Sequence, residues 1–236
     1  MDKFKKTLLI IGSILFFSNA IASDDTPVHL ENPNVNIRDT QSVERGAKFF
    51  AQHCMICHSV KYLRHNELAQ KAGITLDKMP LKDQDWWFGV APPDLSLITR
   101  VRSPEWVYTY LHSFYTDPKR AVGSNNLIME NSSMPNPFGG MQGEQELTVP
   151  LEDIHKLHGI YSGKPYYYEV LRMTKQGSMT PEEFDNVTRD VVNFLVYTSD
   201  PNKVARNRMG FWVLGFLFLF LIVSFLLKKE YWKKVE

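Results

Sequence analysis

Cysteine is almost missing from this chain of 236 residues: only Cys54 and Cys57 occur, with two residues between them. Two thiols already committed to one short segment leave none for a disulfide framework, and a four-ligand zinc site would need further ligands at suitable spacing. Strand signal is also scarce, and there is neither an internal repeat nor a low-complexity tract. A βαβ pattern, which thioredoxin-like use of Cys-x-x-Cys requires, is missing. The formal net charge of +1 offers no strong basic field, and no nucleic-acid partner is expected. What remains is an all-α reading, with a core that must be held by apolar packing and by whatever the two thiols bind.

Those thiols belong to Cys54-Met55-Ile56-Cys57-His58. At the end of a helix, two thiols in Cys-x-x-Cys spacing reach the two vinyl groups on one edge of a porphyrin, and the next histidine falls beneath the ring as an axial ligand. The segment therefore predicts one covalent haem c, attached through Cys54 and Cys57, with His58 on the iron. An electron carrier or a haem enzyme follows.

The chain ends bear on compartment. Lys3, Lys5 and Lys6, the uncharged run Thr7 to Phe17 and then Ala20-Ile21-Ala22 have the order of a secretory signal, with cleavage expected after Ala22. The 11-residue run is too short to span a bilayer. Met209 to Leu227, by contrast, holds 19 residues without a charge. At about 1.5 Å per residue it reaches roughly 28 Å, close to the hydrocarbon thickness of a membrane.

An exported N-terminus followed by one span puts the tail, 228–236, in the cytoplasm, where Lys228, Lys229, Lys233 and Lys234 agree with positive-inside bias. The expected layout is a signal at 1–22, a haem domain at 23–205 outside a bacterial-type cytoplasmic membrane, and linker and anchor at 206–227. The 23–205 portion holds 18 basic and 23 acidic residues, a net of −5. Such an excess suits a basic partner or simple solubility.

Along the domain, Val43, Ala47, Phe50 and Ala51 make one apolar face of a helix from Gln41 to Cys54. A second helix is expected from Val60 to Ala72, ending near Gly73. Gly73 to Arg100 reads as loop with an aromatic cluster, Trp86, Trp87 and Phe88. Ser103 as N-cap and Pro104 in the first turn start a further helix, whose apolar face is Trp106, Val107, Tyr110, Leu111 and Phe114. The following 65 residues, rich in Asn, Gly, Pro and Ser, carry little pattern. Thr180 and Glu183 then form a capping box ahead of Phe184, Val187, Val191, Phe194 and Leu195, until Pro201 stops the helix.

A carrier needs a second strong axial bond. Among the methionines, Met134 stands out in the loop-like context Asn131-Ser132-Ser133-Met134-Pro135; Met79 before Pro80 has a similar look, and a methionine is also a common core filler. His155 and His158 lie three apart but lack a third ligand, and His53, His65 and His112 have no evident partner. Arg100 and Arg102 are candidates for the haem propionates, since the guanidinium fork suits carboxylates; plain solvent exposure is the alternative.

In order, Arg45-Gly46, the Cys54 to His58 segment, Ala91-Pro92-Pro93-Asp94-Leu95-Ser96 with Arg100-x-Arg102, Met134-Pro135, Asp190-Val191-Val192-Asn193-Phe194-Leu195 and Arg208-Met209-Gly210 resemble the cytochrome c1 family, from about Val43 to Lys228. The resemblance implies a class I cytochrome c-like haem domain with added loops. It implies Cys54 and Cys57 as thioether sites, His58 and Met134 as the iron ligands, and Arg102 and Tyr108 as propionate contacts. By the same resemblance the chain passes single electrons from a Rieske iron–sulfur protein to a cytochrome c, beside cytochrome b, in ubiquinol–cytochrome c reductase, with no bond-making site of its own. A haem c subunit of a terminal oxidase or nitric-oxide reductase is the alternative. Residues 136–177 match the family poorly and receive no role.

Overall fold

Asp39 accepts a hydrogen bond from the Ser42 N–H and so starts helix α1, Thr40–Phe49. In this computed structural model, which describes residues 26–80, 86, 89–157 and 163–233, the helix does not stop at Phe49. Its last turn widens into a π-helical turn, Phe50–Cys54, in which the Met55 N–H reaches back five residues to the Phe50 carbonyl at 2.9 Å. Together the two pieces cover the helix expected from Gln41 to Cys54. The helix expected from Val60 to Ala72 is instead broken. A 3-10 turn, Lys61–Leu63, precedes a short helix, Glu67–Lys71, because the Asn66 side chain accepts from the Ala69 N–H and caps a new start.

Helix α2, Pro104–His112, begins as its caps predict, with Ser103 accepting from the Trp106 N–H. Helix α3, Pro181–Ser199, opens on the reciprocal Thr180 and Glu183 box and ends just before Pro201. Helix α4, Lys203–Trp232, contains the expected span and is long and apolar enough to cross a membrane. Its best 18-residue window has a mean hydropathy of 2.6, and none of that window is buried by the rest of the chain. The leader at 1–22, Trp87, Phe88, His158 and the tail from 234 lie outside the described residues.

α1 and α3 cross closely enough that Gly46 has no room for a side chain. A Cβ there would stand 2.0 Å from the Asp190 carbonyl oxygen and 2.9 Å from the Phe194 Cβ. At the same crossing the Arg45 guanidinium forks onto Asp190 at 2.6 and 2.9 Å. Arg45 is largely exposed, so this pair orients more than it stabilises. The glycine decides how near the helices come, and that sets where α1 delivers Cys54. Gly46→Ala is expected to force the helices apart at a cost of about 3 kcal/mol, read as a lower denaturant midpoint; an unchanged midpoint contradicts the close crossing.

Beneath the crossing lies the main core, including Val43, Phe50, Leu63, Ile74, Phe114, Phe138, Phe184 and Phe194. The rings meet at tilted or edge-on angles, Phe50 with Phe194 at 5.4 Å and Phe138 with Phe184 at 5.2 Å between centroids. Partly buried Cys54 and Met134 border this same core.

The all-α expectation needs correcting: the domain is mostly helical but has, among the described residues, two antiparallel strand pairs. β1, Phe114–Thr116, pairs with β2, Ser124–Asn126; β3, Gly143–Leu147, pairs with β4, Leu171–Gln176. None exceeds six residues, and Ser-Asn-Asn or Gly-Glu-Gln-Glu-Leu shows no apolar alternation for a sequence reading to catch. At Gly143 φ is +109°, and a Cβ would meet the Lys175 carbonyl oxygen at 2.1 Å. These pairs finish α2. Gln142 and Gln145 both donate to the His112 carbonyl, and Asn126 donates to that of Tyr110, so side-chain amides satisfy carbonyls that the helix end leaves open. A second small core, Val28, Tyr115, Leu127, Ile154, Val170 and Leu171, supports the strands from the far side.

Candidate haem attachment site

The π-helical turn ends on Cys54, and the chain then coils tightly through the rest of the motif. The Cys57 and His58 N–H groups both donate to the Cys54 carbonyl, at 3.1 and 2.8 Å. Cys54 is half-buried and Cys57 exposed. Burial, and after it the neighbouring Cys57, pushes the Cys54 thiol up to about 12. Burial also raises Cys57. His58 is buried, with Nδ1 2.9 Å from the Pro93 carbonyl oxygen. Since only a protonated Nδ1 can donate there, the tautomer follows, and Nε2 carries the lone pair a metal needs. Burial lowers the pKa of His58 more than its bond to Pro93 and the nearby Asp94 raise it, so the ring is neutral at pH 7.

Pro93 is held in place by its neighbour. Asp94 accepts from the Ser59 hydroxyl at 2.6 Å, the Lys61 N–H at 3.0 Å and the Ser96 N–H at 2.9 Å. Burial alone would raise its pKa, but these hydrogen bonds outweigh that and keep it below the ordinary value. Asp94 thus ties the loop after the motif to the loop that orients His58. Sequence reasoning placed Asp94 in a motif without giving it this work; a carboxylate after two prolines was the available signal.

Met134 arrives on a braced loop. Asn131 sits in the left-handed region, with φ of +63°. Arg120 donates to the Asn131 side chain at 3.1 Å and to the Asn131 and Ser132 carbonyls at 2.8 and 3.1 Å. Three guanidinium bonds on adjacent residues fix the chain just ahead of Met134, whose half-buried side chain packs against the main core. Its Sδ lies 3.5 Å from the Tyr110 hydroxyl. Met79, the other candidate, is a buried core residue.

The remaining candidates are dispersed. Arg100 pairs with Asp200 at 3.2 Å, a carboxylate that Arg206 also engages. Arg102 is exposed, with its guanidinium 4.9 Å from the Trp106 ring centroid. Tyr108 is buried and its hydroxyl donates to Asp185 of α3. His53, His65 and His155 are exposed. His112 does have a partner: it is buried and its Nδ1 lies 2.9 Å from the Tyr108 carbonyl oxygen.

Two thiols at a helix end and a neutral imidazole with one nitrogen already spoken for fit a covalently attached haem, with His58 as the proximal ligand. The comparisons with known proteins agree on the cofactor. A family model described as the Cytochrome C1 family matches residues 32–86 and 83–235. Cytochrome c1 of Allochromatium vinosum is 39% identical over 98% of this chain and 100% of its own. The ammonia monooxygenase gamma subunit of Nitrosomonas europaea is 35% identical over 96% of this chain and 97% of its own. Cytochrome c1 of Rhodobacter capsulatus is 22% identical, over 82% and 83%.

Proposed function

The chain belongs to the cytochrome c1 family and is a c-type cytochrome of electron transport, with one covalent haem c; from that premise we propose that it relays single electrons from a Rieske iron–sulfur protein to a cytochrome c. The setting is ubiquinol–cytochrome c reductase, with cytochrome b as the neighbour in the membrane. When bound, haem c supplies a one-electron change at iron. The residues of the chain would do the rest: Cys54 and Cys57 would hold the haem covalently, His58, neutral through burial and aimed by the Pro93 carbonyl, would bind the iron, and Met134 would be its second ligand.

One observation carries the relay reading over an enzyme. His58 is oriented by a carbonyl that Asp94 pins, and Met134 stands on a loop that Arg120 clamps at three points. Stiff supports on both ligands suit outer-sphere transfer, where coordination stays closed and little rearranges. Arg102, which forms no ion pair among the described residues, is free to meet a propionate. Tyr108, on α2, gives its one hydroxyl hydrogen to Asp185, so a propionate contact there would require that bond to open.

α4, long and apolar enough to cross a membrane, is the anchor in this reading. Its lysine-rich end at Lys228 and Lys229 lies on the cytoplasmic side in this reading, the haem domain on the periplasmic side, and residues 1–22 are removed on export. Purification of the full chain from its own membranes in mild detergent tests the whole proposal. The expected preparation contains b-type haem, a Rieske iron–sulfur signal and quinol oxidation coupled to cytochrome c reduction. Copurification with a terminal oxidase or nitric-oxide reductase and no quinol oxidation overturns it.

A further inference from the structure

Arg102, Trp106, Tyr110 and Phe114 recur every four residues along one side of α2 and its ends, and their side chains stack. The Arg102 guanidinium covers the Trp106 ring, the Trp106 and Tyr110 rings lie 5.0 Å apart and 9° from parallel, and Phe114 meets Tyr110 edge-on at 5.0 Å. Tyr110 is thereby packed against Trp106 and Phe114, and its hydroxyl has partners within reach. Two atoms receive it. Ser132 Oγ lies at 2.8 Å and Met134 Sδ at 3.5 Å.

One hydrogen placement serves all three groups. The Met134 N–H donates to Ser132 Oγ at 3.3 Å. With Ser132 donating its own hydrogen to the Tyr110 oxygen, the tyrosine hydrogen is left for the sulfur. Each bond in such a chain polarises the next, which makes the phenol a better donor. A thioether is only a weak acceptor but has two lone pairs, one for a metal and one over.

We propose that Tyr110 is a positioning residue for the Met134 sulfur, its hydroxyl occupying the lone pair that axial ligation leaves and drawing electron density from it. The inference rests on the reading of Met134 as the sixth ligand. A sulfur that gives less density to iron stabilises the ferric form less, so Tyr110 raises the potential for one-electron reduction of Fe(III) to Fe(II). The sequence offered Tyr110 only as part of an apolar face, and nothing in its spacing pointed to the hydroxyl.

Redox titration of the haem-loaded, full-length protein in detergent, with the far-red sulfur-to-iron band recorded alongside, tests this. Tyr110→Phe keeps the ring and its stack and removes the hydroxyl. The band is expected to persist while the reduction equilibrium constant falls about threefold to tenfold, or about 28 to 59 mV for one electron. Ser132→Ala, which leaves Tyr110 untouched, is expected to move the potential the same way by less. An unchanged or raised potential in Tyr110→Phe overturns the proposal. If that variant fails to fold, an unmoved potential in Ser132→Ala does so instead. Met134→Ala is the separate arm: a band that survives there removes Met134 from the iron and fails the underlying reading, whatever Tyr110→Phe shows.

Discussion

Met134→Ala is expected to abolish the far-red sulfur-to-iron band, to let the ferrous protein bind carbon monoxide, and to lower the potential by on the order of 0.1 to 0.2 V. That drop is a modest part of the roughly 0.8 V over which axial ligands set haem potentials. The direction follows from chemistry: thioether sulfur favours ferrous iron, and water or an open position does not. The structure adds that Met79, the other candidate, cannot substitute readily. Met79 is buried in the core, and the loop before Met134 is clamped by Arg120, so another side chain cannot swing in without breaking those bonds. Visible spectra and a redox titration of the detergent-purified protein check it. A variant that keeps both band and potential takes Met134 out of the ligand set.

Acid should weaken the domain through the buried His112. His112 is enclosed by the rings of Tyr108, Tyr167 and Phe184, and burial, the largest cause, lowers its pKa from 6.5 to about 4 against the smaller opposing pull of its bond to Tyr108. A lowered folded-state value means that the unfolded chain takes up a proton before the native one can. The stability His112 allows is therefore complete above pH 6.5 and is lost as pH falls through 6.5 towards 4. At about 1.4 kcal/mol per unit, the full loss is about 3 kcal/mol.

His112→Gln keeps a donor for the Tyr108 carbonyl but cannot titrate. Denaturant midpoints of the haem-loaded protein measured from pH 7 to 4 are expected to fall more steeply for the parent than for the variant. Parallel profiles sink the assignment. Asp94 and Asp200 act lower: their pKa values are held below the ordinary value of 3.8, so their contribution is present above that value and goes only beneath it.

Much of the helical frame was legible because it rests on local rules. The Ser103 cap, the Thr180 and Glu183 box and the stop at Pro201 each involve residues within four positions, and each appears where the sequence places it. The break at Asn66 escaped because the apolar spacing on either side suggests continuity, whereas the capping bond to Ala69 competes with it. The strands escaped for another reason. Their residues are polar and few, and what selects them is the need to terminate α2 through Asn126, Gln142 and Gln145, a demand made by a distant helix end.

The attachment site divides in the same way. The pattern Cys54, Cys57 and His58 could be read from spacing alone, since the thioether bonds and proximal ligand it implies would need only five consecutive residues whatever surrounds them. The apolar run of the anchor is equally local, because a bilayer responds to length and composition. Tertiary structure decided the rest: that Pro93 and Asp94 set the His58 ring, that Gly46 fixes how closely α1 approaches α3, that His112 is buried, and that the Tyr110 hydroxyl meets the Met134 sulfur. Those contacts join residues 20 to 150 positions apart along the chain, and no local pattern encodes them; they exist only once the core has closed and left each polar group a single direction in which to find its partner.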